Sequence, residues 1–70
     1  MFENIKVDDS VVVVFPWKIL GKKASNPGIV VEINEETFIV KFSTDIQRGE
    51  FQKSNGVNIK GRDYGTVTKS

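Results

Sequence analysis

Apolar residues in this chain come in short alternating runs, without the three- and four-residue spacing that marks a helix. Val, Ile, Phe and Thr fill the runs, while Gly, Asn, Pro and Asp separate them, which is typical of strands joined by turns. Residues 11–15 form the first clear strand, and Ile5 and Val7 are predicted to be a short lead-in to it. Pro16 lacks a backbone donor and is predicted to end this strand. The pattern therefore predicts an all-β chain.

The most distinct hairpin is predicted from residues 28–34 and 37–43, joined by a turn that starts at Asn34. Both runs alternate in step, so each has one face turned toward a shared interior. The residues predicted on those inner faces are Ile29, Val31, Ile33, Phe38, Val40 and Phe42.

Two other segments complete the predicted connections. Residues 17–27, between the first strand and this hairpin, are predicted to be a long polar loop. Residues 50–53 and 57–60 are predicted to pair as a second, shorter hairpin. The Asn55-Gly56 pair between them favours the positive φ angles of a type I′ turn.

A final strand is predicted at residues 66–68, which gives five or six short antiparallel strands. A sheet of so few strands loses its exposed edges when it curls and closes into a small barrel. The length of the chain fits a single domain, residues 1–70. The predicted core consists of Val11, Val13, Phe15, Ile29, Val31, Ile33, Phe38, Val40, Phe42, Phe51 and Val67.

The amino-acid composition excludes several kinds of functional site. The chain has no cysteine and no histidine, which excludes disulfides and the Cys/His ligand sets of structural zinc. Its serines lie in no recognisable nucleophile context. The adjacent carboxylates of Asp8-Asp9 and of Glu35-Glu36 point to opposite faces of an extended chain. We therefore expect a non-enzyme with no catalytic residues, cofactor, metal or small-molecule substrate.

The chain shows no predicted membrane segment. Its longest apolar stretch, residues 11–15, is too short to span a bilayer, and charged residues interrupt the first ten positions. We expect a cytoplasmic protein without a membrane partner.

One candidate surface is apolar. If Val11 and Val13 face inward, the same alternation turns four apolar residues outward, namely Val12, Val14, Val30 and Ile39. Such a face would serve to bind another protein or a second copy of the chain. Alternatively, Phe2 and Ile5 fold back over it as a lid.

A second candidate surface is basic and aromatic, although the formal net charge is only +1. Lysines in the 17–27 segment could approach basic residues of the C-terminal third, with two aromatic rings beside them for stacking. The candidate nucleic-acid or partner contacts are Trp17, Lys18, Lys22, Lys23, Lys53, Lys60, Arg62 and Tyr64. Alternatively, these charges simply form a solvated face.

The order of these signals resembles SH3-like barrels of the KOW and Tudor type. Residues 8–11 read Asp-Asp-Ser-Val, residues 28–33 read Gly-Ile-Val-Val-Glu-Ile and residues 38–42 read Phe-Ile-Val-Lys-Phe. Asp8 stands where the family usually has glycine. The tail, with Phe51, Gly56 and Tyr64-Gly65, is similar to the ending of small barrel proteins encoded by bacteriophages. The resemblance implies a small SH3-like barrel that acts as a binding module. We expect a protein-binding module, or alternatively a KOW-like module that binds nucleic acid.

Overall fold

The computed structural model describes residues 1–43 and 47–69, and for Lys69 the backbone alone. Its elements are the strands β1 (Ser10–Ile19), β2 (Lys22–Ile33), β3 (Thr37–Phe42), β4 (Arg48–Gln52) and β5 (Thr66–Lys69), and one 3₁₀ turn (Arg62–Tyr64). All strand pairs are antiparallel, and the sheet order is β4-β3-β2-β1-β5. The predicted all-β fold is confirmed. Within the described ranges no helix is long and apolar enough to cross a membrane.

The sheet curls into a half-barrel, and residues 56–59 connect its two outer strands. On the β4 side, the amide of Gln52 donates to the carbonyl of Val57 at 2.9 Å. On the β5 side, the amide of Val67 donates to the carbonyl of Gly56 at 2.7 Å. Because the same short segment bonds to both strands, it occupies edges that would otherwise be open. This architecture is compatible with the predicted small barrel.

The second predicted hairpin is only partly formed. Residues 57 and 58 make isolated bridges to Thr66 and Phe51 instead of a strand. Gly56 has a φ of 76°, but Asn55 is not among the described residues with positive φ, so the predicted type I′ turn is wrong. The Asn55 side chain instead accepts a hydrogen bond from the Val57 amide at 2.9 Å. The result is a wider turn than the Asn-Gly pair predicts.

The predicted loop over residues 17–27 is wrong, because this segment is an extension of the β1–β2 hairpin. Its strands meet at the pairs Lys18↔Lys23 and Ile19↔Lys22, which leaves Leu20 and Gly21 as a two-residue turn. Their φ angles are 52° and 81°, as a type I′ turn requires. Leucine is a poor residue for the first of these two positions, so Gly21 alone signals the turn.

Pro16 does not end β1 as predicted. Val14 pairs with Ser25 and Lys18 pairs with Lys23, so three residues of β1 face one residue of β2. A bulge of this kind tolerates a residue without an amide donor. The strand therefore continues through the proline to Ile19.

A second bulge, in β2, reverses part of the predicted alternation. Val30 pairs with Val40 and Glu32 with Ile39, which leaves Val31 without a partner. Before the bulge Val30 points inward and is fully buried, whereas Ile29 is 44% exposed. The predictions that Ile29 and Val31 belong to the core and that Val30 faces outward are wrong. After the bulge, Ile33 faces inward as predicted.

The core otherwise follows the predicted alternation of β1, β3, β4 and β5. Its buried residues are Val11, Val13, Val30, Phe38, Val40, Phe51 and Val67, against which Phe2, Ile5, Phe15, Ile33 and Phe42 pack. The predicted lead-in strand at Ile5 and Val7 is absent from the described segment before Ser10. Phe2 and Ile5 instead fold back onto the core, and the rings of Phe2 and Phe38 lie 5.6 Å apart.

The chain enters β1 through a residue in a backbone conformation that favours glycine. Asp8 has a φ of 77°, in the left-handed region that glycine adopts without steric cost and aspartate tolerates better than most residues. The conformation lets the Asp8 amide donate to the carbonyl of Val30 at 2.8 Å. The Val30 amide in turn donates to the carbonyl of Asp9 at 3.0 Å.

Candidate binding cleft

A cleft lies between the base of the β1–β2 hairpin, the end of β3, the start of β4 and the 3₁₀ turn. Four aromatic side chains line it, namely Phe15, Trp17, Phe42 and Tyr64. These residues are far apart in sequence, and only the curled sheet brings them together. We call this site the aromatic cleft.

Three of the aromatic side chains that line the cleft form a packed row of rings. Phe15 and Trp17 stack at 4.7 Å between centroids with 19° between their planes. Phe15 also contacts Phe42 at 6.5 Å in a tilted arrangement. Trp17 remains 49% exposed, so one face of its ring is supported while the remainder meets solvent.

Tyr64 also lines the cleft and is 54% exposed at the end of the 3₁₀ turn. The buried Asn58 holds this turn in place: its side-chain amide donates to the carbonyl of Tyr64 at 3.4 Å. Its side-chain oxygen accepts from the amide of Lys60 at 2.9 Å. The Lys60 ammonium lies 5.7 Å from the Tyr64 ring centroid, a cation–π distance.

Gly65 lets the turn approach the core. It has a φ of 110°, and a Cβ there would overlap Val13 and lie 3.1 Å from the Phe15 ring. The glycine thus allows Tyr64 and Phe15 to border the same cleft.

Charges of both signs border the aromatic cleft. Arg48 and Lys60 line it together with Glu50 and Asp63. The Glu50 carboxylate accepts a hydrogen bond from the Thr37 hydroxyl at 2.6 Å, which holds it on the outer face of the sheet beside its register partner Ile39. The cleft therefore offers aromatic faces, hydrogen-bonding groups and charged residues of both signs at its border.

The eight predicted basic and aromatic contacts do not form one surface. Trp17, Lys60 and Tyr64 line the aromatic cleft, and Arg62 lies in the adjoining 3₁₀ turn. The other four lie elsewhere: Lys18, Lys22 and Lys23 are on the hairpin tip, and Lys53 is beside the turn between β2 and β3.

The predicted apolar face is changed by the β2 bulge. Val12, Val14 and Ile39 are half-buried on the outer face, and Ile29 takes the place that was predicted for Val30. In register, Ile29 lies opposite Lys41, one diagonal step from Ile39. The outer face therefore still carries a diagonal row of apolar side chains, in which Ile29 replaces the predicted Val30.

Sequence reasoning missed Phe15 and Phe42 as cleft residues, because alternation assigned both to the core. It also missed Arg48 and Asn58. The Phe15-Pro16-Trp17 triplet was the available signal, since a bulge at the proline can stack the aromatics on either side of it. Among the described residues, no cluster of three or more acidic side chains could hold a metal ion.

Comparisons of the chain with protein-family models, curated proteins and solved structures find no match.

Proposed function

We propose that this chain is a non-catalytic protein-binding module with an SH3-like barrel, and that the aromatic cleft takes an extended segment of a partner protein. The observation that carries the proposal is that two half-exposed rings, Trp17 and Tyr64, line the same cleft. Aromatic side chains at interfaces supply large contact areas at low cost in conformational entropy.

The cleft residues are held in place before any partner arrives, which supports this role. Phe15 supports Trp17 from behind, and Asn58 bonds the turn that carries Tyr64. A site that is already ordered loses less entropy on binding.

The charges favour a protein segment over a polyanion. Glu50 and Asp63 border the cleft beside Arg48 and Lys60. The Asp63 carboxylate would repel a phosphate backbone, whereas a peptide of mixed charge can pair with both signs.

Nucleic acid is the second candidate because Trp17 and Tyr64 offer stacking faces beside Arg48 and Lys60. This KOW-like alternative predicts binding to single-stranded oligonucleotides that weakens steeply as salt increases. Peptide binding in a cleft of balanced charge predicts a much smaller salt effect.

The resemblance to small bacteriophage barrels supports a narrower proposal. In that setting the chain is a cytoplasmic accessory protein that acts on a host or phage protein. Proteins captured from a candidate host by wild type, and lost with the cleft variants below, would identify the partner.

The function is tested with a yeast-displayed peptide library selected on the purified chain. We expect enriched peptides to share a motif, to bind at micromolar Kd and to lose at least roughly 10-fold in affinity on Trp17→Ala or Tyr64→Ala. Val7→Ala removes an exposed apolar side chain outside the cleft and should leave affinity unchanged. The absence of an enriched motif, or equal binding by all variants with wild-type circular dichroism, would refute the proposal.

A further inference from the structure

The tip of the β1–β2 hairpin combines exposed aliphatic side chains with lysines. Leu20 is 99% exposed and Ile19 is 60% exposed. Lys18, Lys22 and Lys23 surround them and are exposed. The sequence contains no acidic residue between Asp9 and Glu32. We call residues 18–23 the hairpin tip, and its surface is both apolar and cationic.

Two features of the hairpin tip are unfavourable for the isolated chain. Lys18 and Lys23 lie directly opposite each other, and like charges in that position destabilise a strand pair. Leu20 occupies a turn position that asparagine or glycine would fill better. Among the described residues, no salt bridge involves these lysines. An anionic, partly apolar occupant would relieve the repulsion and cover Leu20.

A surface with the complementary properties lies at the other end of the molecule. The turn between β2 and β3 carries Glu35 and Glu36, which line a depression together with Glu3 and the exposed Met1 and Ile59. We call this the acidic pocket. β2 runs from the hairpin tip to this turn, and the longest dimension of the molecule is 36 Å. The two surfaces therefore cannot meet within one chain.

The acidic pocket retains free negative charge. Lys53 also lines it, but its ammonium donates to the backbone carbonyl of Glu35 at 3.2 Å, and no salt bridge to either turn carboxylate is found among the described residues. Glu3 differs, because the N-terminal ammonium of Met1 contacts its carboxylate. Glu35 and Glu36 are thus available to lysines from outside.

We propose that the hairpin tip of one copy docks in the acidic pocket of a second copy, head to tail. Lysines of the hairpin tip then face Glu35 and Glu36, and Leu20 packs against Met1 and Ile59. Because the two surfaces differ, each docked pair still has one free tip and one free pocket, so the contact builds rings or open chains. A hairpin tip of six residues buries little area, so the contact is weak and depends on concentration.

The test is sedimentation equilibrium with two neutralised variants. The tip variant carries Lys22→Gln and Lys23→Gln, and the pocket variant carries Glu35→Gln and Glu36→Gln. Wild type should show an average mass that rises above 7.8 kDa with concentration. Each variant alone should stay a single chain. Mixed together, they should form pairs and nothing larger, because only one tip and one pocket remain intact in each pair.

A third variant separates docking from folding. Leu20→Asn improves the turn, so it should raise the free energy of unfolding while weakening assembly at least 5-fold. Assembly should also weaken as salt increases from 0.1 M to 1 M, since the screening length falls from about 10 Å to about 3 Å. Tyr64→Ala should leave assembly unchanged, and the tip variant should bind cleft peptides with the affinity of wild type. These two controls distinguish a failure of the docking proposal from a failure of the proposed peptide binding.

Three results would overturn the inference. One is a wild-type chain that stays single at about 1 mM in low salt. Another is a mixture of the two variants that forms no pairs. The third is a single wild-type chain whose hairpin tip instead binds vesicles of anionic lipid or an oligonucleotide.

Discussion

Phe15 and Trp17 stack on each other across Pro16, with their ring centroids 4.7 Å apart. The bulge at the proline makes this contact possible, and the contact in turn orients the exposed ring that lines the aromatic cleft. Trp17 is the only tryptophan in the chain, so its fluorescence reports on the cleft without labelling.

Loss of the stack should be visible in that fluorescence. Phe15→Ala should shift the Trp17 emission to longer wavelength and lower the free energy of unfolding by about 2 kcal/mol, below the cost of a fully buried ring because Phe15 is only half-buried. Ile19→Ala, further along the same hairpin, should change neither quantity appreciably. An unshifted emission maximum in Phe15→Ala would show that the rings do not stack in solution.

Because of the β2 bulge, we predict different losses of stability for substitutions at two neighbouring residues. Val30→Ala should cost about 2 kcal/mol in urea denaturation, because it opens a cavity in the core. Ile29→Ala should cost less than about 1 kcal/mol, since that side chain is largely outside. An equal loss, or a larger one at Ile29, would mean that β2 has the unbroken alternation that its sequence suggests.

These residues also show how far the sequence could be read. The inward faces of β3 and of β1 as far as Phe15 were predictable because a strand without a bulge alternates with period two. The face of β2 was not, because one unpaired residue, Val31, shifts the pattern and leaves no compositional sign. The turn at Leu20-Gly21 was missed for a similar reason: the hairpin register imposes a conformation that leucine does not signal.

The aromatic cleft was still harder to predict. Trp17 and Tyr64 were recognised as exposed aromatics, but their proximity depends on closure of the sheet and on the path of the 3₁₀ turn. The alternation of β3, which contains Phe42, was predicted correctly. However, the position of Phe42 at the end of that strand also places it beside the cleft. Contacts of this kind arise from tertiary structure, so local patterns do not encode them.

The left-handed conformation of Asp8 predicts a stabilising substitution. Asp8→Gly should raise the free energy of unfolding by up to about 1 kcal/mol, because glycine adopts this φ without steric cost. The neighbouring Asp9→Gly should do the opposite, since the Asp9 carboxylate accepts a hydrogen bond from the Lys6 amide at 2.9 Å. Thermal unfolding of the two variants measures both effects, and stabilisation by Asp9→Gly alone would contradict the geometry.

Substitutions at two glycines with similar φ angles distinguish the effect of backbone strain from that of steric overlap. Gly61 and Gly65 have φ of 119° and 110°, but only at Gly65 would an added Cβ meet neighbours. Gly65→Ala should therefore be less stable than Gly61→Ala by about 2 kcal/mol, as expected for overpacking against Val13. Chemical denaturation measures this difference in stability. Equal losses of stability in the two variants would mean that the 3₁₀ turn lies further from the core.

Amide chemical shifts of the ¹⁵N-labelled chain, recorded during titration with a selected peptide, are the most direct measurement. They test whether the cleft lined by Trp17 and Tyr64 binds a protein segment. We predict that the largest changes occur at the Trp17 indole and at the amides of Arg48, Lys60 and Tyr64. Changes concentrated instead on the outer face, at Val12, Val14 and Ile29, would contradict the assignment of the cleft as the binding site.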